Sequence, residues 1–195
     1  CFFSILYNLK IISKKLLNSY GTNNTLLMQH VSHKVPQIKV STGSLGHGLP
    51  IGAGIALSSK LKNTKKTIFV LISDGELNEG STWEALMFAS HHKLSNLVVI
   101  VDYNKIQSLD LVEKTLKIEP LSNKFKSFGC DVKIIEGHNF SKILSVLKQK
   151  NKKRPFIIIA NTIKGKGVSF MENKVSWHYK SPNDVELFKA LKELD

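Results

Sequence analysis

Two side chains that carry oxygen, Asp74 and Asn104, stand about thirty residues apart. Each follows a short apolar run typical of a strand, and a helical pattern separates the two runs. Because parallel strands of an open α/β sheet end at one edge, we expect the two side chains to lie close together there. Carboxylate and amide oxygens suit a hard cation such as Mg²⁺ or Ca²⁺. The spacing predicts a cation site that would hold a phosphate-bearing ligand.

Residues next to these positions would complete such a site. Gly75 would let the backbone approach a diphosphate closely, and the start of the following helix would add amide donors and a positive dipole. A turn after Asn104 could offer the main-chain carbonyl of Ile106, with phosphate oxygens and water on the remaining positions. Taken alone, Asp74-Gly75 is more often a tight turn and Asn104 a turn residue. Their spacing within one β-α-β unit favours the binding interpretation.

The elements that must position these residues alternate between strand and helix patterns. Apolar, β-branched runs typical of strands buried on both faces occupy residues 67–72, 97–101, 131–135 and 156–160. Helical patterns occupy residues 3–9, 13–19, 46–61, 79–92, 120–128, 140–149 and 182–194. The alternation predicts an α/β fold, a parallel β-sheet flanked by helices on both faces. We expect residues 1–195 to form one domain that lacks its upstream start, because the chain begins with Cys rather than Met.

Three helices carry more detailed expectations. The helix over residues 46–61 should be buried along Ile51, Ile55 and Leu57. In the next helix, Trp83, Leu86 and Met87 fall at helical spacing and are expected in the core. In the last, Ser181 is expected to cap the helix with Pro182 at its first position.

The formal net charge of +13 is unusual for a chain of ordinary composition. A nucleic-acid partner is one interpretation of that charge. Lysines dominate, however, and no basic stripe is interleaved with aromatic residues, so solvated surface lysines and no nucleic-acid partner are the favoured interpretation. The two cysteines, Cys1 and Cys130, have no metal-binding spacing, which fits a reducing compartment. We expect a cytoplasmic protein with no signal peptide and no membrane segment.

The stretch around Asp74 and Asn104 resembles the thiamine diphosphate motif, which opens Gly-Asp-Gly and closes on Asn about thirty residues later. More specifically, residues 30–57, 73–107 and 163–182 resemble transketolase, and the resemblance covers nearly the whole chain. It is closest to the amino-terminal subunit of split, two-gene transketolases. Ser73 stands where the motif usually has Gly. Serine is small and the ligand atoms come from its neighbours, so we expect cofactor binding to survive.

The resemblance implies a role for each matching residue. Asp74, Asn104 and the carbonyl of Ile106 match the metal ligands, which anchor the cofactor, and Gly75 matches the glycine beside its diphosphate. His30 matches a histidine that contacts the sugar substrate, and His178 matches a second active-site histidine close to both cofactor and substrate. Gly43 and Leu45 match a loop that lies against the cofactor. Glu79 and Glu84 match acidic residues at the interface between active sites. The Lys164-Gly-Lys-Gly segment would form part of the cofactor surroundings.

The resemblance also implies an activity. Transketolases move a two-carbon ketol unit from a ketose phosphate to an aldose phosphate, using thiamine diphosphate and Mg²⁺ or Ca²⁺. They activate the cofactor with a glutamate of a pyrimidine-binding domain, and nothing after His178 resembles that domain. We therefore expect the chain to be inactive alone and to work with a partner subunit carrying that domain, as a dimer of heterodimers. The alternatives are a non-catalytic cofactor-binding or regulatory module, and another thiamine diphosphate enzyme such as a deoxyxylulose-phosphate synthase or a dehydrogenase subunit.

Overall fold

The computed structural model describes residues 2–149 and 153–195. Its chain forms two compact units, Cys1–Leu45 and Gly46–Asp195, called here the N-terminal and the C-terminal unit. The expectation that the whole chain is one domain stays a prediction.

The C-terminal unit is built on a sheet of four parallel strands. These are β1 (Ile68–Ser73), β2 (Leu97–Tyr103), β3 (Asp131–Glu136) and β4 (Phe156–Asn161), in the order β1-β2-β4-β3. The pairs Ser73–Asp102 and Tyr103–Asn161 place the ends of β1, β2 and β4 side by side. The predicted parallel α/β fold is confirmed, and the residues that follow β1, β2 and β4 leave the sheet at one edge.

Helices of the C-terminal unit cover both faces of this sheet. In chain order the helices of the protein are α1 (Phe2–Asn8), α2 (Lys14–Asn18), α3 (Gly48–Leu61), α4 (Gly80–His91), α5 (Val112–Thr115), α6 (Leu121–Ser127), α7 (Phe140–Leu147) and α8 (Asp184–Leu194), with 3₁₀ turns at Gly75–Asn78 and Val175–His178. The larger core lies between one face and α3, α4 and α6, where Leu86 and Phe125 are fully buried. A smaller core lies between the other face and α7, around Val146 and Ile158.

The buried side of α3 differs from the prediction. Ile51 and Ile55 are exposed by 38% and 46%, and Leu57 is only partly buried. The small residues of the helix face the sheet instead, because a Cβ added to Gly52 would lie 2.3 Å from Cγ2 of Val70. Because α3 lies so close to β1, only its glycine and alanine side fits against the sheet. The large apolar side chains of α3 therefore lie on the surface.

Helix α4 follows the prediction in part. Leu86 is fully buried, and the half-buried Trp83 stacks on Phe125 with ring centroids 5.4 Å apart. Met87 is instead 60% exposed. Met87 therefore lies on the solvent side of α4, and the expectation of a core position was wrong.

The cap of α8 also differs from the prediction. The helix begins at Asp184, and the Asn183 side chain, not that of Ser181, accepts a hydrogen bond from the Glu186 N–H at 2.9 Å. The Glu186 carboxylate in turn accepts the Asn183 N–H at 3.0 Å. This reciprocal capping box satisfies two N–H groups at once, and it leaves Pro182 outside the helix.

The N-terminal unit contains the two short helices α1 and α2 and a small apolar cluster. Phe3, Leu6 and Leu27 are buried in that cluster, and the Ser13 hydroxyl caps α2 by accepting the Leu16 N–H at 3.1 Å. Residues 19–45 run in turns and bends. Among the described residues of the whole chain, no helix is long and apolar enough to cross a membrane.

Candidate functional site

The ends of β1 and β2 bring the predicted metal ligands together. Asp74 is 2% exposed, and its Oδ2 accepts a hydrogen bond of 2.7 Å from the Lys105 N–H. Asn104 follows β2, and its Oδ1 accepts the Ile106 N–H at 3.0 Å. The parallel pairing of β1 with β2 thus places Asp74, Asn104 and Ile106 at the same corner of the sheet, as the sequence predicts.

The electrostatics of this corner favour a bound cation. Burial is the main cause that raises the pKa of Asp74 to about 6, and nearby Asp102 raises it further. Hydrogen bonds from the N–H groups of Lys105 and Gly75 act in the opposite direction, as does the charge of Lys164. A divalent cation would favour the ionised carboxylate.

The predicted ligand set contains a single carboxylate, which it joins to an amide oxygen and a main-chain carbonyl. Mg²⁺ and Ca²⁺ commonly take ligands of these three kinds. Among the residues that the structure describes, no group of three or more His, Cys, Asp or Glu side chains could hold a metal ion. The described chain therefore has no metal site built from those side chains alone. The predicted set at this corner contains only one such side chain, Asp74, and takes its other two oxygens from Asn104 and the main chain of Ile106.

Gly75 begins the 3₁₀ turn after Asp74, and the fold does not require a glycine there. A Cβ added to Gly75 would lie 3.8 Å from Cγ of Gln107 and 3.8 Å from Oγ of Ser73, which are ordinary contacts. A Cβ added to Gly52, in contrast, would clash with Val70. The packing of the fold therefore does not by itself explain the glycine at this position.

Gln107 lies beside Gly75 and was missed by the sequence reasoning. The residue is 7% exposed, and its Oε1 accepts the Asn78 side-chain amide at 3.0 Å. Within the described chain, its Nε2 is buried without a hydrogen-bond partner. An unsatisfied buried donor costs about 1–3 kcal/mol, so this amide is suited to an anionic ligand at Gly75. No pattern in the sequence points to Gln107, because its role depends on the burial of its side chain in the folded protein.

Ser73, the departure from the thiamine diphosphate motif, supports the turn. Its Oγ accepts the Glu76 N–H at 3.2 Å, and the turn Gly75–Asn78 begins beside that bond. The serine therefore supplies a hydrogen bond that glycine could not make. Its side chain lies at van der Waals distance from the Gly75 position.

The loop after β4 adds a lysine and a histidine to this edge. The charge of Lys164 lowers the pKa of both Asp74 and His178, so the lysine acts on both side chains. Loss of solvation is the larger cause that lowers the pKa of His178, although the residue is exposed. The loop needs a glycine at Gly165, where φ is +75° and an added Cβ would lie 2.7 Å from the Met171 carbonyl oxygen. The lowered pKa of His178 favours its neutral imidazole.

A cavity of about 490 Å³ opens beside Asn104 and Ile106. Tyr103 lines it, and its hydroxyl donates a hydrogen bond of 2.6 Å to the Glu119 carboxylate. Burial and this bond raise the pKa of Tyr103. The cavity has the size of a small-molecule site.

The three predicted residues for substrate contact and the cofactor loop that are not yet placed lie in the N-terminal unit. The ring of His30 packs against Gly43, because a Cβ added there would lie 2.7 Å from Cγ of His30. Gly43 has a φ of +123°, which side chains rarely adopt. His30 is exposed, and Leu45 is 51% exposed. Within this unit the structure brings His30 and Gly43 together.

The predicted interface residues lie at the start of α4 and on it. Glu79 precedes the helix and is half-buried, and Glu84 is exposed. The surface near Glu84 is apolar, since Met87 and Phe88 are 60% and 41% exposed on the same helix. Exposed apolar surface of this kind is typical of a protein–protein contact.

The family of the chain follows from its match to known proteins. Residues 8–193 match the family model described as "Transketolase, thiamine diphosphate binding domain". The chain belongs to the transketolase family. The predicted resemblance is therefore confirmed, and the site at the ends of β1 and β2 belongs to a thiamine diphosphate-binding domain.

Relatives within the transketolase family include subunits of split enzymes. The chain is 41% identical over 186 residues to an apulose-4-phosphate transketolase subunit of Actinobacillus succinogenes, a match that covers 94% of this chain and 67% of that protein. It is 37% identical over 179 residues to the 6-deoxy-6-sulfo-D-fructose transketolase subunit SqwG of Clostridium sp., covering 90% of this chain and 65% of that one. The chain thus spans about two thirds of the length of these relatives.

Solved transketolases share the fold. The transketolase from Campylobacter jejuni superimposes with a TM-score of 0.87 at 27% sequence identity, over 92% of this chain and 30% of that one. A transketolase from Pichia stipitis superimposes with a TM-score of 0.85 at 22% identity, over 92% of this chain and 29% of that one, which supports the fold alone. Both alignments match this chain to less than a third of a complete transketolase.

Proposed function

We propose that this chain is the cofactor-binding subunit of a split transketolase. In this proposal it holds thiamine diphosphate through a divalent cation and, with a partner subunit, transfers two-carbon ketol units between sugar phosphates. The observation that carries the proposal is the corner at the ends of β1 and β2. There the buried Asp74 carboxylate accepts the N–H of Lys105, the residue after Asn104. Gln107, whose Nε2 has no hydrogen-bond partner within the described chain, lies beside Gly75. The family match supports the proposal.

The cation would be held by three oxygens of this chain. These are the carboxylate of Asp74, the side-chain carbonyl of Asn104 and the main-chain carbonyl of Ile106, with Mg²⁺ or Ca²⁺ as the ion. The Lys105 N–H orients the Asp74 carboxylate by occupying its Oδ2. Cation binding would offset the cost of burying that charge, which supports Asp74 as the anchor of the site.

The diphosphate would lie along the turn that begins at Gly75. A glycine would let the diphosphate approach the main chain closely, and the Gln107 Nε2 would donate to a phosphate oxygen. Lys164, whose charge already reaches Asp74, would add a positive charge near the anion. Donors and charge of these kinds are those by which proteins hold phosphate groups.

Two histidines would act on the substrate. When bound, thiamine diphosphate supplies the nucleophilic carbon needed to break and form carbon–carbon bonds. His178 is neutral at neutral pH because its pKa is lowered, so it can accept a proton from a substrate hydroxyl. His30, packed on Gly43, would contact the sugar in the same way, and Gly43 and Leu45 would lie against the cofactor.

A partner subunit would supply the pyrimidine-binding domain. Two relatives are each named as one subunit of an apulose-4-phosphate transketolase, which supports a second subunit for this chain too. The exposed apolar surface of α3 and α4, with Glu79 and Glu84 beside it, would pack against another subunit in a dimer of heterodimers. We also propose a cytoplasmic location, because Cys130 is a free thiol and reducing compartments preserve thiols.

The substrates would be anionic sugars. The named substrates of two relatives, apulose-4-phosphate and 6-deoxy-6-sulfo-D-fructose, carry a phosphate and a sulfonate group. The formal charge of +13 would favour anionic substrates, although salt screens such attraction beyond about 8–10 Å.

The deciding experiment is a two-carbon transfer assay of the full-length protein, alone and with the product of the adjacent gene. We expect turnover only in the mixture with thiamine diphosphate and Mg²⁺, and loss of turnover with Asp74→Ala. Full turnover by this protein without the second gene product would contradict the need for a partner. A stable complex that binds cofactor and transfers nothing would support the non-catalytic module instead.

A further inference from the structure

Glu76 is a buried carboxylate that the proposed function does not use. It is 8% exposed and lies in the 3₁₀ turn directly after Asp74 and Gly75. Ionisable side chains are rarely buried unless something binds them. The contacts of Glu76 therefore indicate the role of its carboxylate.

The main partner of Glu76 is the peptide of Gly46. The Oε1 atom of Glu76 accepts the Gly46 N–H at 3.1 Å in a buried hydrogen bond. The same oxygen lies beside Gly48, the first residue of α3, where an added Cβ would lie 3.6 Å from it. Because His47 makes no side-chain cap of α3, the carboxylate of Glu76 takes the place of a cap at this helix start, where negative charge is stabilising.

The same peptide is held from its other side by the start of α4. The Ser81 hydroxyl donates a hydrogen bond of 2.7 Å to the Gly46 carbonyl. Gly46 has a φ of +77°, and a Cβ added there would lie 2.4 Å from the Ser81 Oγ and 2.8 Å from the Glu79 Cβ. Both polar groups of Gly46 are therefore bound, and the space round it admits only glycine.

Glu76 is itself fixed by its main chain. Its N–H donates to the Ser73 hydroxyl at 3.2 Å, and its carbonyl accepts the hydroxyl of the fully buried Thr82 at 3.1 Å. Through its main chain and its side chain together, Glu76 thus joins the turn after β1 to the start of α3 and to the first turn of α4. Gly46 directly follows Leu45, where the predicted cofactor loop ends.

We propose that Glu76 is a positioning residue that holds the Gly46 peptide, and so fixes the point where the loop carrying Gly43 and Leu45 joins the C-terminal unit. The inference rests on the proposed function, since it assigns Glu76 to the thiamine diphosphate site. Ser81 and Glu79, at the start of α4, contact the same glycine.

The test compares variants of the full-length protein with its partner subunit. Glu76→Leu removes the acceptor, Glu76→Gln keeps a carbonyl oxygen in its place, and Glu136→Leu changes an exposed glutamate of β3 as a control. The measurements are the dissociation constant of thiamine diphosphate at saturating Mg²⁺, kcat at saturating cofactor, and hydrogen exchange of the segment 41–49.

We expect Glu76→Leu to raise the dissociation constant by about tenfold or more and to speed exchange at Gly46, with kcat at saturating cofactor nearly unchanged. Glu76→Gln should restore both the affinity and the slow exchange, and Glu136→Leu should change neither. A folded Glu76→Leu protein with the affinity of the unmodified protein would overturn the proposal. So would a Glu76→Gln protein as impaired as Glu76→Leu.

Ser81→Ala keeps the proposal testable if Glu76→Leu does not fold. It removes the second bond to Gly46, so affinity should fall and exchange at Gly46 should rise. If both stay unchanged, the proposal is wrong. Failure of the unmodified protein to bind thiamine diphosphate with Mg²⁺ would instead count against the proposed function. Binding that no variant weakens would count against the role of Glu76 alone.

Discussion

The carboxylate of Asp74 and the main-chain N–H of Lys105 are joined by a hydrogen bond of 2.7 Å between the ends of β1 and β2. The bond fixes one carboxylate oxygen and places the side chain next to Asn104. Burial of this carboxylate costs the isolated chain stability, because it raises the pKa of Asp74 from 3.8 to about 6. A site that is costly without its ligand is typical of binding sites.

The first prediction concerns this cost. A raised pKa means that the folded state holds the Asp74 proton more tightly than the unfolded chain, so this contribution to stability is present at low pH and is lost as pH rises through about 6. Asp74→Asn should therefore increase the free energy of unfolding at pH 7.5 without metal, by about 1–3 kcal/mol. It should also abolish the stabilisation by Mg²⁺ with thiamine diphosphate. Urea denaturation at pH 5 and pH 7.5 measures both effects.

Asp131→Asn, at the opposite end of the sheet, is the control for this experiment. It should leave the stabilisation by cofactor intact. An Asp74→Asn protein that is still stabilised by Mg²⁺ and thiamine diphosphate would remove Asp74 from the metal site.

The second prediction separates two glycines. Gly75→Ala should leave the free energy of unfolding within about 0.5 kcal/mol of the unmodified value, because the added Cβ makes only ordinary contacts. It should weaken thiamine diphosphate binding by about tenfold or more, because the methyl group would keep the diphosphate away from the main chain. Calorimetric titration and thermal unfolding measure the two quantities.

Gly52→Ala should behave in the opposite way. Its Cβ would lie 2.3 Å from Val70, so the variant should lose stability, by about 1–3 kcal/mol, while any folded protein keeps its cofactor affinity. Undiminished binding in Gly75→Ala would show that the diphosphate lies elsewhere.

The third prediction concerns Gln107, whose Nε2 has no hydrogen-bond partner within the described chain. Gln107→Leu nearly keeps the volume and removes the buried donor, but it also removes the bond to the exposed Asn78 side chain. Because water can replace the bond to Asn78, the free energy of unfolding should change by less than about 1 kcal/mol. Cofactor affinity should fall, because a phosphate oxygen loses its donor. Gln107→Glu should lower affinity further by placing a carboxylate near the diphosphate. Equal cofactor affinity in all three proteins would rule out this contact.

The fourth prediction concerns Lys164. Its positive charge lowers the pKa of both His178 and Asp74. Lys164→Met should therefore raise both pKa values and shift the acid limb of the rate profile toward higher pH. The C2 proton of His178, followed by NMR during a pH titration, measures the shift directly. Lys166→Met is the matched control, since Lys166 pairs with Glu172 at 3.4 Å. An unchanged His178 titration in Lys164→Met would contradict the assignment.

Much of the site could be predicted from local patterns. Asp74 and Asn104 each follow an apolar run that forms a parallel strand, and parallel strands end at one edge. Their proximity is therefore a consequence of secondary structure and strand direction. The caps and the buried faces were less predictable. Ser181 and Asn183 are both good capping residues, and only the bond between Asn183 and Glu186 decides between them.

The sequence by itself determined the α/β fold, the family and the meeting of Asp74 with Asn104, because periodicity and motif spacing are properties of the chain. The tertiary structure alone decided that α3 packs through Gly52 rather than Ile55 and that Glu76 binds Gly46. It also decided that the Gln107 Nε2 has no hydrogen-bond partner among the described residues. The physical reason is that burial and hydrogen bonding between residues distant in the chain depend on how closely the elements approach one another. That distance is set by the packing of the whole sheet and its helices.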